Sequence, residues 1–109
     1  MVGDDVLMAW GATVIDTDTH AVAWEGRRGD AGDFYREYLK DPANALAGKR
    51  WEGVVCKPVH IGSKSWVGFN SIVLKGTRLG DEVIVGAGSV VTKSFADGVR
   101  VAGNPAREL

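Results

Sequence analysis

The sequence predicts a parallel β-helix, and three observations predict it. Aliphatic residues stand six apart at Val55, Ile61, Val67, Val73, Leu79, Val85 and Val91. Glycine often follows them (Gly62, Gly68, Gly80, Gly86), and the position four after the aliphatic is small or β-branched: Val59, Ser65, Ser71, Thr77, Val83, Ser89. The run from Val55 to Phe95 also holds this period without a slip. A helix would spread positions six apart around its surface, and an ordinary strand alternates with period two over a short run. A hexad of aliphatic, small, variable, variable, small and variable residues is the pattern of a β-helix, in which three hexads close one triangular coil. The aliphatic side chain is expected inside the prism and the small one beside it near the corner, with glycine accommodating the corner's backbone.

In chain order, the first residues already carry the period. Val2-Gly3, Met8-Ala9 and Val14-Ile15 occupy the aliphatic and following positions, with Val6 and Ala12 in the small ones, about one coil. The prism is then expected to open on an uncovered end, and exposed strand edges imply either a trimmed chain or a neighbour over them. From about residue 17 to residue 54 the period stops and the composition shifts to charge and aromatics. Within this insertion Ala31, Phe34, Tyr35, Tyr38 and Leu39 follow helical spacing, which predicts a helix over 30–40 with Asp30 as its N-cap. A second short helix is predicted from Asp41 as N-cap, through Pro42 at its first position, to Gly48. Long excursions of this kind tend to be functional. After Phe95 the repeat decays into a last extended segment, Val99 to Ala102, and the Asn104-Pro105 step predicts a closing turn.

Length and composition describe one domain spanning residues 1–109. A formal net charge of −1 with 45% hydrophobic residues allows one core and argues against a nucleic-acid or anionic-membrane partner. No apolar run approaches membrane-spanning length. The lone Cys56 has no partner for an internal disulfide, so the expected compartment is the cytoplasm.

The run Ile61 to Lys93, with Trp66-Val67-Gly68, Val85-Gly86-Ala87-Gly88-Ser89-Val90-Val91-Thr92-Lys93 and Ala102-Gly103-Asn104-Pro105-Ala106, resembles the hexapeptide-repeat acyltransferases. These have a left-handed β-helix fold and include the maltose and galactoside O-acetyltransferases and the xenobiotic acetyltransferases. The resemblance supplies the handedness, which the spacing does not. It implies a homotrimer with active sites between adjacent prisms, acetyl-CoA as acyl donor and a small acceptor such as a sugar or antibiotic, with no metal required. In longer members several coils precede the histidine loop; about one precedes it here.

The residue matching the family's general base is His20, at the end of Val14-Ile15-Asp16-Thr17-Asp18-Thr19-His20. Transfer from a thioester to a hydroxyl or amine needs one proton removed as the acceptor attacks, and imidazole titrates near neutrality. Asp16 and Asp18 could orient His20 or bind acceptor hydroxyls, although Asp-rich corners are also ordinary turn chemistry. By resemblance, Trp66 borders the acyl and acceptor site, Ala87 offers its backbone to the pantetheine arm, and Thr92, Lys93 and Arg107 lie near the nucleotide end of the cofactor. Lysine and arginine suit phosphates, and both also serve on any solvated face. His60 occupies a variable hexad position and reads as a surface residue, and Cys56 has no visible base beside it. Two rival readings stand beside the transferase. A γ-type carbonic anhydrase holds zinc with three histidines, whereas only His20 and His60 are present. The other is a noncatalytic trimeric scaffold.

Overall fold

The computed structural model describes all residues from Met1 to Leu109, which form two compact units, one of residues 1–17 with 56–109 and one of residues 18–55. The first unit is a stack of two-residue strands turned by corners. These are β1 (Leu7–Met8), β2 (Thr13–Val14), β3 (His60–Ile61), β4 (Trp66–Val67), β5 (Ile72–Val73), β6 (Arg78–Leu79), β7 (Ile84–Val85) and β8 (Val90–Val91). β3, β4 and β5 each pair in parallel with residues eighteen further on: His60 with Arg78, Trp66 with Ile84, Ile72 with Val90. One coil therefore takes three hexads, as the period predicts. The ladder crosses the insertion, because β1 pairs with β4 and β2 with β5.

Alternation within each short strand decides which residue is inside. Ile61, Val67, Val73, Leu79, Val85 and Val91 are buried, while Trp66, Ile72 and Arg78, one residue earlier, face out. The small positions Val59, Ser65, Ser71, Thr77, Val83 and Ser89 are buried with them. Their hydroxyls are spent on corner backbone: Ser65 Oγ donates to the Gly80 carbonyl at 3.2 Å and accepts from the Val83 amide at 3.1 Å. Ser71 Oγ donates to the Gly86 carbonyl at 2.9 Å. No buried side-chain nitrogen or oxygen lacks a partner, the condition under which polar groups can occupy a core.

Two details differ from what the sequence predicts, and a third, the exposed end of the first coil, agrees with it. The periodic glycines are required by close approach rather than by corner conformation. A Cβ on Gly62 would lie 2.3 Å from the Gly80 carbonyl oxygen, and one on Gly68 2.7 Å from the Ala87 amide nitrogen, so these positions are where the backbone of one coil rests on the next. Val55, expected as the first aliphatic of the run, belongs to the second unit, where its carbonyl accepts from Asp18 N at 2.9 Å; the buried core begins at Val59. The aliphatic positions of the first coil are only partly covered, with Val2 50%, Met8 39% and Val14 39% exposed. Their register partners Ile61, Val67 and Val73 are at most 2% exposed, because those have a coil on either side.

At the other end β9 (Arg100–Gly103) stacks on β7, and the chain turns at Asn104-Pro105 so that β10 (Ala106–Glu108) returns antiparallel along it. The turn is as expected; the antiparallel strand is not. Ala106 tucks into the core as the last buried residue.

The second unit holds α1 (Trp24–Arg27), a turn that the sequence pattern does not predict, and α2 (Asp30–Lys40). The N-cap of α2 is Gly29, with no side-chain cap, so the expectation for Asp30 is corrected: it opens the helix and its carboxylate is engaged elsewhere. The second predicted helix is one 3-10 turn, Pro42–Asn44, with Asp41 capping it by accepting from Ala43 N at 3.1 Å. Within this unit the acidic side of α2 is the bound side. Asp33 accepts from Arg50 Nη2 at 2.8 Å, whereas Phe34, Tyr35, Tyr38 and Leu39 are exposed. No helix is long and apolar enough to cross a membrane.

Candidate active site

The second unit begins with a tight turn that sets His20. Asp18 N bonds back to Val55 O, His20 N donates to Asp18 O at 2.7 Å, and Thr19 Oγ1 donates to the same carbonyl at 2.6 Å. Thr19 stands at φ 62°. A β-branched residue in the left-handed region costs of order 1–3 kcal/mol and is kept where surrounding structure enforces it, which occurs most at functional sites.

The His20 side chain is half exposed, and its Nδ1 lies 2.5 Å from Asp30 Oδ2, on a side chain only 8% exposed. The hydrogen bond from His20 holds the Asp30 carboxyl below its ordinary range, and the Lys49 ammonium lowers it further, against a partial burial that raises it. An ionised carboxylate can only accept, so Nδ1 carries the proton and donates, which in the neutral ring leaves Nε2 as the basic nitrogen. Lys49, with a side chain 10% exposed, places Nζ 3.6 Å from the same Asp30 oxygen and 5.0 Å from the centre of the Trp51 ring. Histidine, carboxylate and lysine thus form one linked set. The pairing is also the reason Asp30 does not cap α2.

Around this set lies a cavity of about 410 Å³, bounded by Thr19, His20, Asp30, Asp33 and Lys49 and by the apolar side chains of Ala31, Phe34, Ala45, Leu46 and Trp51. Its volume falls in the range of small-molecule sites. The arrangement can accept a proton at Nε2 from a hydroxyl or amine held against the apolar wall, with Asp30 fixing the ring and stabilising the imidazolium that forms.

The other predicted residues fall as follows. Asp18 is the pivot of the His20 turn through its backbone, and Asp16, in the first unit, accepts from Lys57 N through its carbonyl at 2.8 Å. The residue found to orient His20 is Asp30, ten positions on. Trp66 lies on β4 beside Leu7, Met8, Trp10 and Phe69 along an open apolar cleft. Ala87 is exposed at the corner after β7, and Thr92 is exposed just after β8. Lys93 Nζ sits 5.6 Å over the Phe95 ring, and Arg107 is exposed on β10 opposite Ala102. Neither cation is in an ion pair. His60 lies on β3 opposite Arg78. Cys56 is a free, exposed thiol 3.2 Å from Thr17 Oγ1.

Residues 58–93 match the family described as bacterial transferase hexapeptide (six repeats). That run is built of hexapeptide repeats. Over it the chain resembles the hexapeptide-repeat acyltransferases. It is 40% identical over 52 residues, 48% of this chain and 26% of the relative, to a galactoside O-acetyltransferase of Escherichia coli (strain K12). To one of Lactococcus lactis subsp. lactis (strain IL1403) it is 45% identical over 49 residues, 45% of this chain and 24% of the relative. A solved galactoside acetyltransferase in complex with coenzyme A superposes with a TM-score of 0.72 at 30% identity, covering 99% of this chain and 42% of that one. The chain therefore spans about a quarter of the length of the curated relatives it matches.

The linked acids give the second unit a pH dependence with a definite sign. Asp33 is held low in the same way, first by its hydrogen bond from Arg50 and then by Arg36. Both carboxyls bind protons less readily in the folded unit than in the unfolded chain. Their stabilisation is thus present above the unfolded carboxylate value, about 3.9, and lost as pH falls from there through the folded values. Protection factors of the amides over residues 30–40 should fall as pH drops below about 4, and Asp30→Asn with Asp33→Asn should flatten that dependence. Protection that ignores pH across this window would show that these pairs do not hold the unit.

Proposed function

We propose that this hexapeptide-repeat chain is a coenzyme A-dependent acyltransferase that moves an acetyl group from acetyl-CoA to a hydroxyl or amine of a small acceptor. The observation that carries the reading is the His20–Asp30 pair at the edge of a cavity of small-molecule size, on the excursion that follows the first coil. The acceptor's proton passes to His20 Nε2 as its oxygen or nitrogen attacks the thioester carbonyl. The tetrahedral intermediate collapses, the carbon–sulfur bond breaks, and the leaving thiolate of coenzyme A takes the proton back from the imidazolium. No covalent enzyme intermediate is needed. A backbone N–H at a glycine-containing corner would steady the oxyanion. Asp30 is a positioning residue in this scheme, and Asp16 and Asp18 stay as candidates for contacts to acceptor hydroxyls.

The finer architecture belongs to the same proposal. The whole chain is one hexapeptide-repeat domain carrying an insertion, its coils are left-handed, and three chains assemble as a homotrimer with active sites between subunits. A core of so few coils with partly exposed aliphatics at one end is of the size that oligomers usually complete. Acetyl-CoA is a substrate, and the protein is placed in the cytoplasm with no nucleic acid or membrane partner. Its pantetheine arm would run past Trp66 and the backbone of Ala87, and its phosphates would meet Lys93 and Arg107 near Thr92. Two exposed cations without carboxylate partners are available for that role.

This assignment is tested by reversing both charges, Lys93→Glu with Arg107→Glu. Binding of coenzyme A should weaken at least about tenfold, while binding of pantetheine, which lacks the nucleotide phosphates, should change little. Equal losses for the two ligands would show that the residues act on the fold or not at all.

A further inference from the structure

We infer that the acceptor taken beside His20 is an alcohol or amine whose reacting group is attached to an apolar, preferably aromatic, body rather than a bare polyhydroxylated sugar. This rests on the reading of His20 as the base, and it is carried by how the cavity's polar and apolar groups are spent. Asp30 receives both His20 Nδ1 and Lys49 Nζ. Asp33 receives Arg50 at 2.8 Å and also Arg36, and Thr19 Oγ1 is turned back onto the Asp18 carbonyl. The polar side chains around the cavity are thus engaged with their own unit. A sugar entering here would give up the hydration of several hydroxyls and find few replacement partners, and a polar group desolvated without a partner disfavours binding.

The apolar groups are the ones left over. Leu46 is 61% exposed, Trp51 53% and Phe34 48%, and all three line the same cavity with Ala31 and Ala45. Large apolar side chains left open together beside a base mark a surface that a ligand covers. The volume of about 410 Å³ fits a small molecule with one ring and a short arm carrying the nucleophile, not a protein segment. Lys49 Nζ lies 5.0 Å from the centre of the Trp51 ring, a cation–π contact that favours this placement of the indole and lessens what must be ordered when the acceptor arrives.

The test uses the whole chain and three probes, phenylethanol, phenylethylamine and methyl glucoside. Binding without acetyl-CoA is followed by the NMR shifts of the His20 imidazole and the Trp51 indole, and acetyl transfer by thiol release. The two aryl probes should bind at least about tenfold more tightly than methyl glucoside, since even one methylene in an apolar pocket discriminates by about that factor. Leu46→Asn and Phe34→Gln, each at an exposed wall position, should bring the ratio towards one without shifting the melting temperature. Methyl glucoside binding as well as the aryl probes, or a ratio unmoved in both variants, would overturn the inference. Thiol release keeps the two readings apart. Aryl binding without acetyl transfer to any probe would support the pocket's preference and count against the transferase, whereas transfer to methyl glucoside at least equal to the aryl probes would leave the transferase standing and overturn the preference.

Discussion

Replacing His20 by alanine should lower acetyl transfer by about 10²–10⁴-fold, the usual range for removing a positioned general base. The size follows from chemistry that no other residue near the cavity can supply. Lys49 and the two carboxylates are tied into ion pairs, and a protonated ammonium or an acid held below its ordinary range is a poor base for a hydroxyl at neutral pH. Coenzyme A affinity and the mass of the assembly should not change, because the His20 side chain is half exposed and packs no core. Asp30→Asn should give a smaller loss of turnover with the acceptor's KM little altered, since it disturbs the ring's tautomer and orientation rather than removing the base. His60→Ala should leave turnover close to wild type. Steady-state kinetics with one verified acceptor separates these outcomes. A His20→Ala variant that kept most of its turnover would mean a different base.

The largest effect on stability should come from Val73→Asp. Val73 is fully buried on β5, with Val14 in register on one side and Val91 on the other, so a carboxylate there would stack between aliphatic side chains with no cation in reach. It would either remain charged without a partner or be forced neutral, and both are unfavourable. A cost above about 4 kcal/mol is expected for a buried unpaired charge, comparable with the whole stability of a small domain, about 5–15 kcal/mol. The variant should therefore be largely unfolded at neutral pH by near-UV circular dichroism. Ile72, one residue earlier and facing out, should accept serine at a cost within about 1 kcal/mol. A Val73→Asp protein with a denaturation midpoint near wild type would mean that this side chain is not inside the prism.

The contrast between residues 72 and 73 shows why the repeat is legible in the amino-acid sequence. In a coil each hexad makes the same contacts as the hexads above and below it, so the requirement for an aliphatic at Val67 recurs at Val85 and leaves a periodic trace. The coil length and the buried serines follow from that trace, whereas the glycines serve a purpose other than the expected one. The spacing marks Gly62 as special, but only the stacked coils reveal that the next coil's backbone occupies the place of its Cβ. The far end is less legible, since the antiparallel return of β10 after Asn104-Pro105 leaves no periodic trace.

The site is half legible. His20 can be found because it stands where the period breaks and because the preceding residues resemble a known family. Asp30 cannot, since an acid at the start of a predicted helix is explained well enough as a cap, and nothing in the local pattern says that the histidine ten residues back will take its oxygen instead. Lys49 and Trp51 escape sequence reasoning on similar grounds: a lysine and a tryptophan in a charged, aromatic insertion carry no period. Only the fold of the second unit brings them to Asp30 and the cavity.

The central claim is that this chain transfers acetyl groups from acetyl-CoA using His20. The most direct measurement incubates the whole protein with acetyl-CoA and a panel of aryl alcohols, aryl amines, sugars and hydroxylated antibiotics, and follows free thiol together with the mass of each acceptor. The account predicts that thiol appears in step with an acceptor heavier by one acetyl group, and that His20→Ala abolishes most of both signals while still binding coenzyme A. Coenzyme A that binds while acetyl-CoA stays intact with every acceptor would contradict it and leave the coils as a scaffold.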